Sequence, residues 1–144
     1  MRFQSVKQSI HDDITMIPQR ATTHSAGFDF ALKETITLKP NDTKLTFTDV
    51  KCELNDNEVL LLFIRSSIGV KKHLMLANGT GVIDSDYYNN AENEGNIGIA
   101  LHNYGTDTIT LDKGERVAQG IIFDYIGDGK VGNVRSGGFG SSGK

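Results

Sequence analysis

The last ten residues, 135–144, combine residue types that suit a nucleotide ligand. Arg135 can bind a phosphate through two parallel hydrogen bonds, and Ser141 and Ser142 can donate to phosphate oxygens. Phe139 offers a flat ring that can lie on a base, and the glycines let backbone N–H groups approach an anion. The segment therefore predicts a ligand with a base at one end and phosphates at the other. The alternative is a disordered terminus, which is common for glycine- and serine-rich ends.

A second stretch, 79–87, has the groups of a polar pocket. Its glycines expose backbone N–H and C=O groups that can read the edge of a base, and Asn78 can add a side-chain amide. Asp84 can hold a water molecule as a general base. The same residues also fit a β-hairpin with Asx turns, and both interpretations stay open at this point.

Two further stretches carry groups that could contact phosphates. Residues 65–69 follow an apolar run and supply a guanidinium, two hydroxyls and a backbone amide at the end of a strand. Residues 114–120 open the last predicted strand, where Gln119 is a polar residue in a mostly apolar passage. A buried amide needs partners, so Gln119 predicts either contact with a ligand or an internal hydrogen bond.

Composition limits the classes of protein. The chain has 144 residues, of which 38% are hydrophobic and 23% charged, as expected of one compact domain. Its formal net charge of −3 argues against a nucleic-acid partner and favours a small ligand. The apolar run at 59–64 is too short to span a bilayer, and the N-terminal residues lack the apolar core of a signal peptide. We therefore expect a soluble, cytoplasmic protein without a membrane partner.

Cysteine and histidine usage argues against thiol and zinc chemistry. Cys52 is the single cysteine and alternates with apolar residues, which favours a small core residue over a nucleophile. The histidines have no metal-ligand spacing, so no zinc site held by protein ligands is expected. They are His11, His24, His73 and His102.

The positions of strands and turns predict an all-β fold. Seven short β-rich runs alternate with turn signals and indicate a sandwich or barrel, with helix limited to a turn or two around 66–70. Seven of the sixteen glycines lie in the last eighteen residues, which places the end of the packed body near Tyr125. The predicted strands are 35–38, 44–47, 50–54, 58–64, 97–102, 108–111 and 117–125.

Five short motifs, taken in order, resemble those of the homotrimeric dUTPases. The match extends over nearly the entire chain. Three features depart from the family pattern: the tail arginine is one residue closer to its Gly-Gly-Phe, the first motif ends in Phe30 where leucine is common, and the insertion at 88–95 is longer than the usual turn. The motifs are AGFDF at 26–30, RSSIG at 65–69, GVIDSDY at 81–87, GERVAQ at 114–119 and RSGGFGSSG at 135–143.

The resemblance implies a fold, an assembly and a reaction. It implies a distorted jelly-roll β-sandwich or barrel over residues 1–126, followed by a flexible arm at 127–144. It also implies a homotrimer whose active sites lie between subunits, with each arm crossing to a neighbouring chain. Such enzymes hydrolyse dUTP to dUMP and pyrophosphate with Mg²⁺, which keeps uracil out of DNA and supplies the precursor of dTMP.

The resemblance also implies a role for individual residues. Asp84 orients the water that attacks the α-phosphorus, and Tyr87 packs against the deoxyribose where a 2′-OH would clash. Asp29 helps the metal through water or braces its neighbours, and no residue binds Mg²⁺ directly. The uracil is read by Asn78 and by the main chain at Gly81 and Ile83, and Phe139 covers it. The phosphates contact Arg65, Ser66, Ser67 and Gln119, and the arm brings Arg135, Gly140, Ser141 and Ser142.

Three rival interpretations remain. A dCTP deaminase shares the fold and the Arg-Ser-Ser element, but its catalytic glutamate would stand where this chain has Ala100, which cannot transfer a proton. A regulatory protein on the same fold would bind nucleotide and signal to a protein partner, and the insertion at 88–95 is where that partner would bind. A carbohydrate or capsid module would explain the strands but not the ordered motifs.

Overall fold

The computed structural model describes residues 2–8, 16–127, 129, 132, 135, 137 and 138. Among these, strands dominate, with a seven-residue helix and a short 3-10 helix, Ser85–Tyr87. In chain order the elements are β1 (Phe3–Ser5), β2 (Gln19–Arg20), β3 (Phe28–Ala31), β4 (Ile36–Leu38), β5 (Thr43–Phe47), β6 (Val50–Cys52), β7 (Glu58–Ile64), α1 (Ser66–Lys72), β8 (Leu74–Leu76), β9 (Gly81–Asp84), β10 (Gly98–Asn103), β11 (Ile109–Leu111) and β12 (Arg116–Asp124).

The all-β prediction is confirmed. Each of the seven predicted strands overlaps an observed one, and the prediction for 58–64 matches β7 at both ends. The predicted helical turn at 66–70 is α1, which continues to Lys72 and ends at His73 in the left-handed conformation, with φ 53°. The sequence does not predict the strands β1, β2, β3, β8 and β9, because two to four residues show too little of an alternating pattern.

A five-stranded antiparallel sheet of order β2-β3-β12-β7-β9 forms the largest layer. Side chains alternate across it, so Leu60 and Leu62 of β7 point into the core and are 0% and 2% exposed. The opposite, outer face is apolar at its centre. Its apolar residues are Val59, Leu61, Phe63, Val82, Ile121 and Phe123, none of which is fully buried.

The remaining strands close the core from the other side. Strand β10 lies between β5 and β8, while β1 pairs with β6 and β4 with β11. Phe30, Leu38, Leu101 and Leu111 are at most 1% exposed and belong to one contiguous hydrophobic cluster. Burial of these side chains supplies the main stabilising free energy of the fold.

We predict that Leu101→Ala lowers the free energy of unfolding by about 2–5 kcal/mol. The shorter side chain leaves a cavity in the core, and the neighbouring strands cannot move far enough to fill that cavity. Leu101 is fully buried on the central strand of the β5-β10-β8 sheet. Denaturant unfolding followed by circular dichroism measures the loss. The control is Val70→Ala at a side chain that is 75% exposed, which should change the value by less than about 0.5 kcal/mol. Equal effects for the two variants would contradict this account of the core.

Candidate active site

Asp29 joins the arginines of two motifs at one end of the five-stranded sheet. Its carboxylate lies 3.1 Å from Nε of Arg65 and accepts a hydrogen bond of 2.9 Å from Nη1 of Arg116. The Asp29 side chain is 11% exposed. A carboxylate held by two guanidinium groups is well placed to fix their orientation. The structure shows these contacts, and both roles expected of Asp29, bracing its neighbours and acting on the metal through water, stay predictions.

Ser66 and Ser67 form the first turn of α1 and are exposed. With Val70 and Lys71 they line an open cleft of about 340 Å³. The first turn contains no acidic residue, and the partial positive charge of a helix start favours anions. The cleft therefore has the hydroxyl groups and the electrostatics that a phosphate requires.

Gln119 lies beside this group on β12. It pairs in register with Asp29 of β3 and with Phe63 of β7, so its side chain lies on the outer face of the sheet. Gly27 packs against it so closely that an added Cβ would stand 2.8 Å from its Oε1 atom. Within the described residues no hydrogen bond of the Gln119 side-chain amide is seen, and both interpretations of this residue stay open.

The third motif lies along the edge of the same sheet. Gly81 and Ile83 belong to β9, whose one strand neighbour among the described residues is β7. The Ile83 side chain is buried in the core, so a contact between this residue and a base would use its main chain. Asn78 is exposed in the turn that precedes the strand, where its carbonyl accepts from the Thr80 N–H at 2.9 Å. The edge of β9 and this turn together can present backbone groups to a planar ligand.

Asp84 ends β9 on the outer face, with 53% of its side chain exposed. The 3-10 helix that follows turns Tyr87 inward, where its hydroxyl donates to the Asn96 carbonyl at 2.9 Å and accepts from Nδ2 of Asn93 at 2.8 Å. Burial raises the pKa of the Tyr87 phenol, so the group stays protonated. The Tyr87 ring is therefore held in a fixed position beside the accessible carboxylate of Asp84.

Arg135 of the C-terminal arm contacts this acidic end of the site. Its Nη2 donates to Asp84 at 2.9 Å, its Nε donates to Asp86 at 2.8 Å, and its guanidinium lies 5.7 Å from the centre of the Tyr87 ring. The Arg135 side chain is 12% exposed. The other arm residues of the sequence prediction, Phe139, Gly140, Ser141 and Ser142, lie outside the described residues.

One chain does not bring the two halves of the site together. Asp84 pairs with Val59 near the start of β7, whereas Gln119 pairs with Phe63 near its end, two strands away across the sheet. Strand geometry puts Asp84 and Gln119 about 16 Å apart, from about 3.3 Å per residue and about 4.8 Å per strand. Asp29 lies one strand further away, beside Gln119. A reacting phosphate must lie within about 3–3.5 Å of the attacking water, so an acid at this distance cannot serve a phosphate bound at Arg65 of the same chain.

Comparison with known proteins identifies the family. The sequence matches the dUTPase family over residues 13–143. The chain belongs to the dUTPase family. It is 43% identical over 131 residues to a deoxyuridine 5′-triphosphate nucleotidohydrolase of Lactococcus lactis, covering 88% of this chain and 87% of the relative. It is also similar to a crystal structure of a dUTPase from Streptococcus mutans, with a TM-score of 0.80, 39% identity and coverage of 88% and 97% of the two chains.

A third similarity is to a dUTPase from phage phi11 of Staphylococcus aureus, in a structure that visualises a species-specific insert. The TM-score is 0.72 at 25% identity, over 92% of this dUTPase and 95% of the phage chain. The resemblance and the all-β fold stated from the sequence are confirmed by these findings.

Three residues at this dUTPase's site receive no role from the sequence. Arg116 and Asp86 lie inside recognised motifs, but their partners Asp29 and Arg135 are 87 and 49 residues away, and such pairing depends on tertiary structure. Glu92 lies in the insertion and accepts a hydrogen bond from the Gly138 N–H. The sequence offers one signal for Glu92, which is a carboxylate in the insertion that follows Tyr87.

The described residues offer neither a metal cage nor a membrane-spanning helix. No group of three or more His, Cys, Asp or Glu in this part of the chain is arranged to hold a metal ion. In the same part of the chain, no helix has the length and apolar character needed to cross a membrane.

Cys52 is 2% exposed and belongs to the core cluster, which confirms its prediction as a core residue. Burial raises the pKa of its thiol to about 12, so the reactive thiolate is scarce at neutral pH.

We therefore predict that the folded dUTPase reacts negligibly with a chromogenic disulfide reagent at about pH 8, where an ordinary thiol of pKa about 8.5 reacts quickly. One equivalent should react in concentrated guanidinium chloride, since unfolding exposes the thiol and restores its ordinary pKa. Absorbance of the released thiolate measures both rates. Rapid reaction of the folded protein would show that Cys52 is accessible and would reopen its assignment.

Proposed function

We propose that this dUTPase hydrolyses dUTP to dUMP and pyrophosphate at sites that are assembled between copies of the chain. Family membership and the similarity to a nucleotidohydrolase of known substrate support the reaction. One observation supports a site shared between copies. On one sheet, the accessible acid Asp84 lies far from Gln119 and the other groups proposed to bind phosphate. The activity keeps uracil out of DNA and supplies dUMP for dTMP synthesis.

In this mechanism Asp84 holds the attacking water. Its carboxylate stands on the outer face of the sheet, half-exposed and fixed at its backbone by pairing with β7. The water is oriented in line with the departing pyrophosphate and gives its proton to Asp84 as the new P–O bond forms at the α-phosphorus. Positioning of the water and neutralisation of phosphate charge supply most of the rate enhancement.

The phosphate chain binds at the opposite end of the sheet, on another copy. The exposed hydroxyls of Ser66 and Ser67, the Arg65 guanidinium and the Gln119 amide all face this cleft or the adjoining outer face. Asp29 keeps Arg65 in place, so less side-chain entropy is lost when the phosphate binds.

Base and sugar recognition uses the third motif. The free edge of β9 at Gly81 and Ile83, together with Asn78, pairs with the uracil and leaves no room for a thymine methyl. Tyr87 packs on the deoxyribose, where a ribose 2′-OH would clash. Because the Arg135 guanidinium lies over the Tyr87 ring in the single chain, we expect it to leave that ring when the sugar binds.

The site fits a magnesium ion held by the triphosphate and water rather than by a protein cage. The described residues offer no cluster of metal ligands, and both oxygens of Asp29 face arginines. When bound, Mg²⁺ neutralises phosphate charge and orients the phosphate chain. On the protein side, Arg65, Ser66 and Ser67 bind the same phosphates and hold them in register.

The outer face of the large sheet supports a homotrimer. Val82 and Phe123 are 58% and 44% exposed in the single chain, and they adjoin the partly buried Leu61 and Ile121. A continuous apolar strip of this kind is expected to be covered by another subunit. Covering it with a second copy would bring Asp84 of one chain towards the Arg65 cluster of another.

The arm completes the site. In the single chain Arg135 binds the chain's own Asp84. Identical chains present identical surfaces, so an arm can exchange onto the same surface of a neighbour, as in domain swapping. A Cβ added at Gly127, Gly129 or Gly132 would meet no described atom within 4 Å, so close packing at these positions does not oppose the exchange. We propose that Arg135, Ser141 and Ser142 reach the phosphates in this way and that Phe139 covers the uracil.

The first test of the mechanism is Asp84→Asn. Asparagine cannot accept the proton, so kcat should fall by about 10²–10⁴-fold while the nucleotide still binds. Pyrophosphate release measures turnover, and calorimetry with a non-hydrolysable dUTP analogue measures binding. The control is Asp107→Asn, which makes the same change of charge at an exposed loop residue and should keep full activity. An active Asp84→Asn enzyme would remove Asp84 from the role of base.

A second test decides whose arm acts on Asp84. Chains with Asp84→Asn and an intact arm are mixed with chains truncated after Gly132, by unfolding and refolding them together. Each parent should be inactive, but a mixed trimer contains sites with an intact Asp84 from one chain and an intact arm from the other. Random mixing of two equal pools should restore about one quarter of the activity. Mixed trimers that stay inactive would mean that the arm serves its own chain.

Two predictions from the sequence remain predictions. One is the cytoplasmic location. The other is a regulatory role through a protein partner at 88–95, which no contact of the described chain favours over catalysis.

A further inference from the structure

The insertion at 88–95 is anchored to the body by a lysine that is almost fully buried. The Lys51 side chain is 6% exposed, lies 3.8 Å from Glu94 and 5.1 Å from the centre of the Tyr88 ring, and donates to the side-chain oxygen of Asn89. One cation therefore holds both ends of the loop. The loop is fixed to the sheet and does not simply extend into solvent.

Its own side chains fix the backbone of the loop as well. Oδ1 of Asn93 accepts from the Gly95 N–H at 3.0 Å and from Nδ2 of Asn90 at 2.8 Å, while Nδ2 of Asn93 binds the Tyr87 hydroxyl. Asn89, Glu94 and Gly95 adopt positive φ angles of 56°, 58° and 83°. These contacts leave Glu92 exposed on a rigid turn next to Tyr87.

Glu92 forms a hydrogen bond with the C-terminal arm. Its Oε2 accepts a hydrogen bond of 2.5 Å from the backbone N–H of Gly138, which is buried. A Cβ on Gly138 would stand 3.0 Å from that oxygen and 3.5 Å from Nδ2 of Asn93, so the approach favours glycine. Nη1 of Arg135 lies 3.3 Å from the Gly138 carbonyl and closes the arm's turn on itself.

We propose that Glu92 is a positioning residue, which accepts the Gly138 N–H and so holds the arm's turn over Asp84 and Tyr87. The role in turnover rests on the proposed function, whereas the docking contact does not. A carboxylate accepting a backbone N–H makes a stronger hydrogen bond than a neutral acceptor does, and it needs no particular side chain on the arm. Because Glu92 binds the backbone and Arg135 binds the acids, the arm can stay docked at Gly138 while Arg135 turns from Asp84 to a phosphate.

The test compares Glu92→Ala and Glu92→Gln with the unaltered enzyme. Trypsin can cleave after Arg135 only when the arm leaves the body. Mass spectrometry of the released peptide 136–144, without added nucleotide, therefore measures how often the arm undocks. Glu92→Ala should be cleaved about five- to tenfold faster, since the arm loses a charge-assisted hydrogen bond. Its KM for dUTP should rise about three- to tenfold with kcat within about twofold, because chemistry at Asp84 is untouched. Glu92→Gln keeps an acceptor oxygen but loses the charge, so both of its readouts should fall between those of the unaltered enzyme and those of Glu92→Ala.

Two further variants complete the test. Glu53→Ala makes the same substitution at an exposed acid outside the loop and should change neither readout. Gly138→Ala should mimic Glu92→Ala from the arm's side, because the added methyl crowds Glu92. Circular dichroism establishes that each variant is folded.

The outcomes separate the two proposals. If Glu92→Ala matches Glu53→Ala in cleavage rate and KM, or if Glu92→Gln behaves like Glu92→Ala, the positioning role is wrong. If the protein fails to release pyrophosphate from dUTP, the proposed function is wrong, and faster cleavage of Glu92→Ala without nucleotide still supports the docking contact.

Discussion

The register of β7 between its two neighbours is the constraint on which the rest of the molecule depends. Pairing with β9 sets Asp84 beside Val59, and pairing with β12 sets Gln119 beside Phe63. These pairings are held by the core, since Leu60 and Leu62 point inward from the same strand. A shift of the register by one residue would turn every side chain of β7 to the other face, so the separation of the acid from the phosphate groups cannot drift. On the proposed function, the fold therefore makes half-sites that assembly joins.

The same sheet supplies the surface for joining them. Its inner face is buried in the core, and its outer face carries apolar residues between the two half-sites. Burial of that strip against another copy would add stability and would bring the half-sites together in one step. Asp29 acts in a similar way at a smaller scale: one carboxylate orients Arg65 and Arg116, so the cations of two motifs are placed before any phosphate arrives.

The sequence predicts the fold class and the longer strands well, and it does not predict the contacts between distant segments. The strand at 58–64 is predictable because the run is long and apolar. The burial of Cys52 is predictable because this residue alternates with core residues. Strand β2 has two exposed residues and exists through its pairing with β3, which no local pattern encodes. The contacts Asp29–Arg116 and Arg135–Asp86 join distant segments, so they depend on sheet topology and on the path of the arm. The contact of Glu92 is not predictable for the same reason, and this residue lies in a polar insertion that has no periodic pattern.

Arg135 attaches the C-terminal arm to the acidic end of the site. In the single chain its guanidinium donates to both Asp84 and Asp86, and Asp84 is the carboxylate proposed to hold the attacking water. A triphosphate carries more negative charge than these two carboxylates and offers the same planar, two-oxygen recognition to a guanidinium. On the proposed function, binding of the nucleotide favours transfer of Arg135 to the phosphates, and the half-exposed Asp84 then loses its ion pair. The proposed roles then couple closure of the arm to activation of the base, with the contact at Gly138 as the pivot.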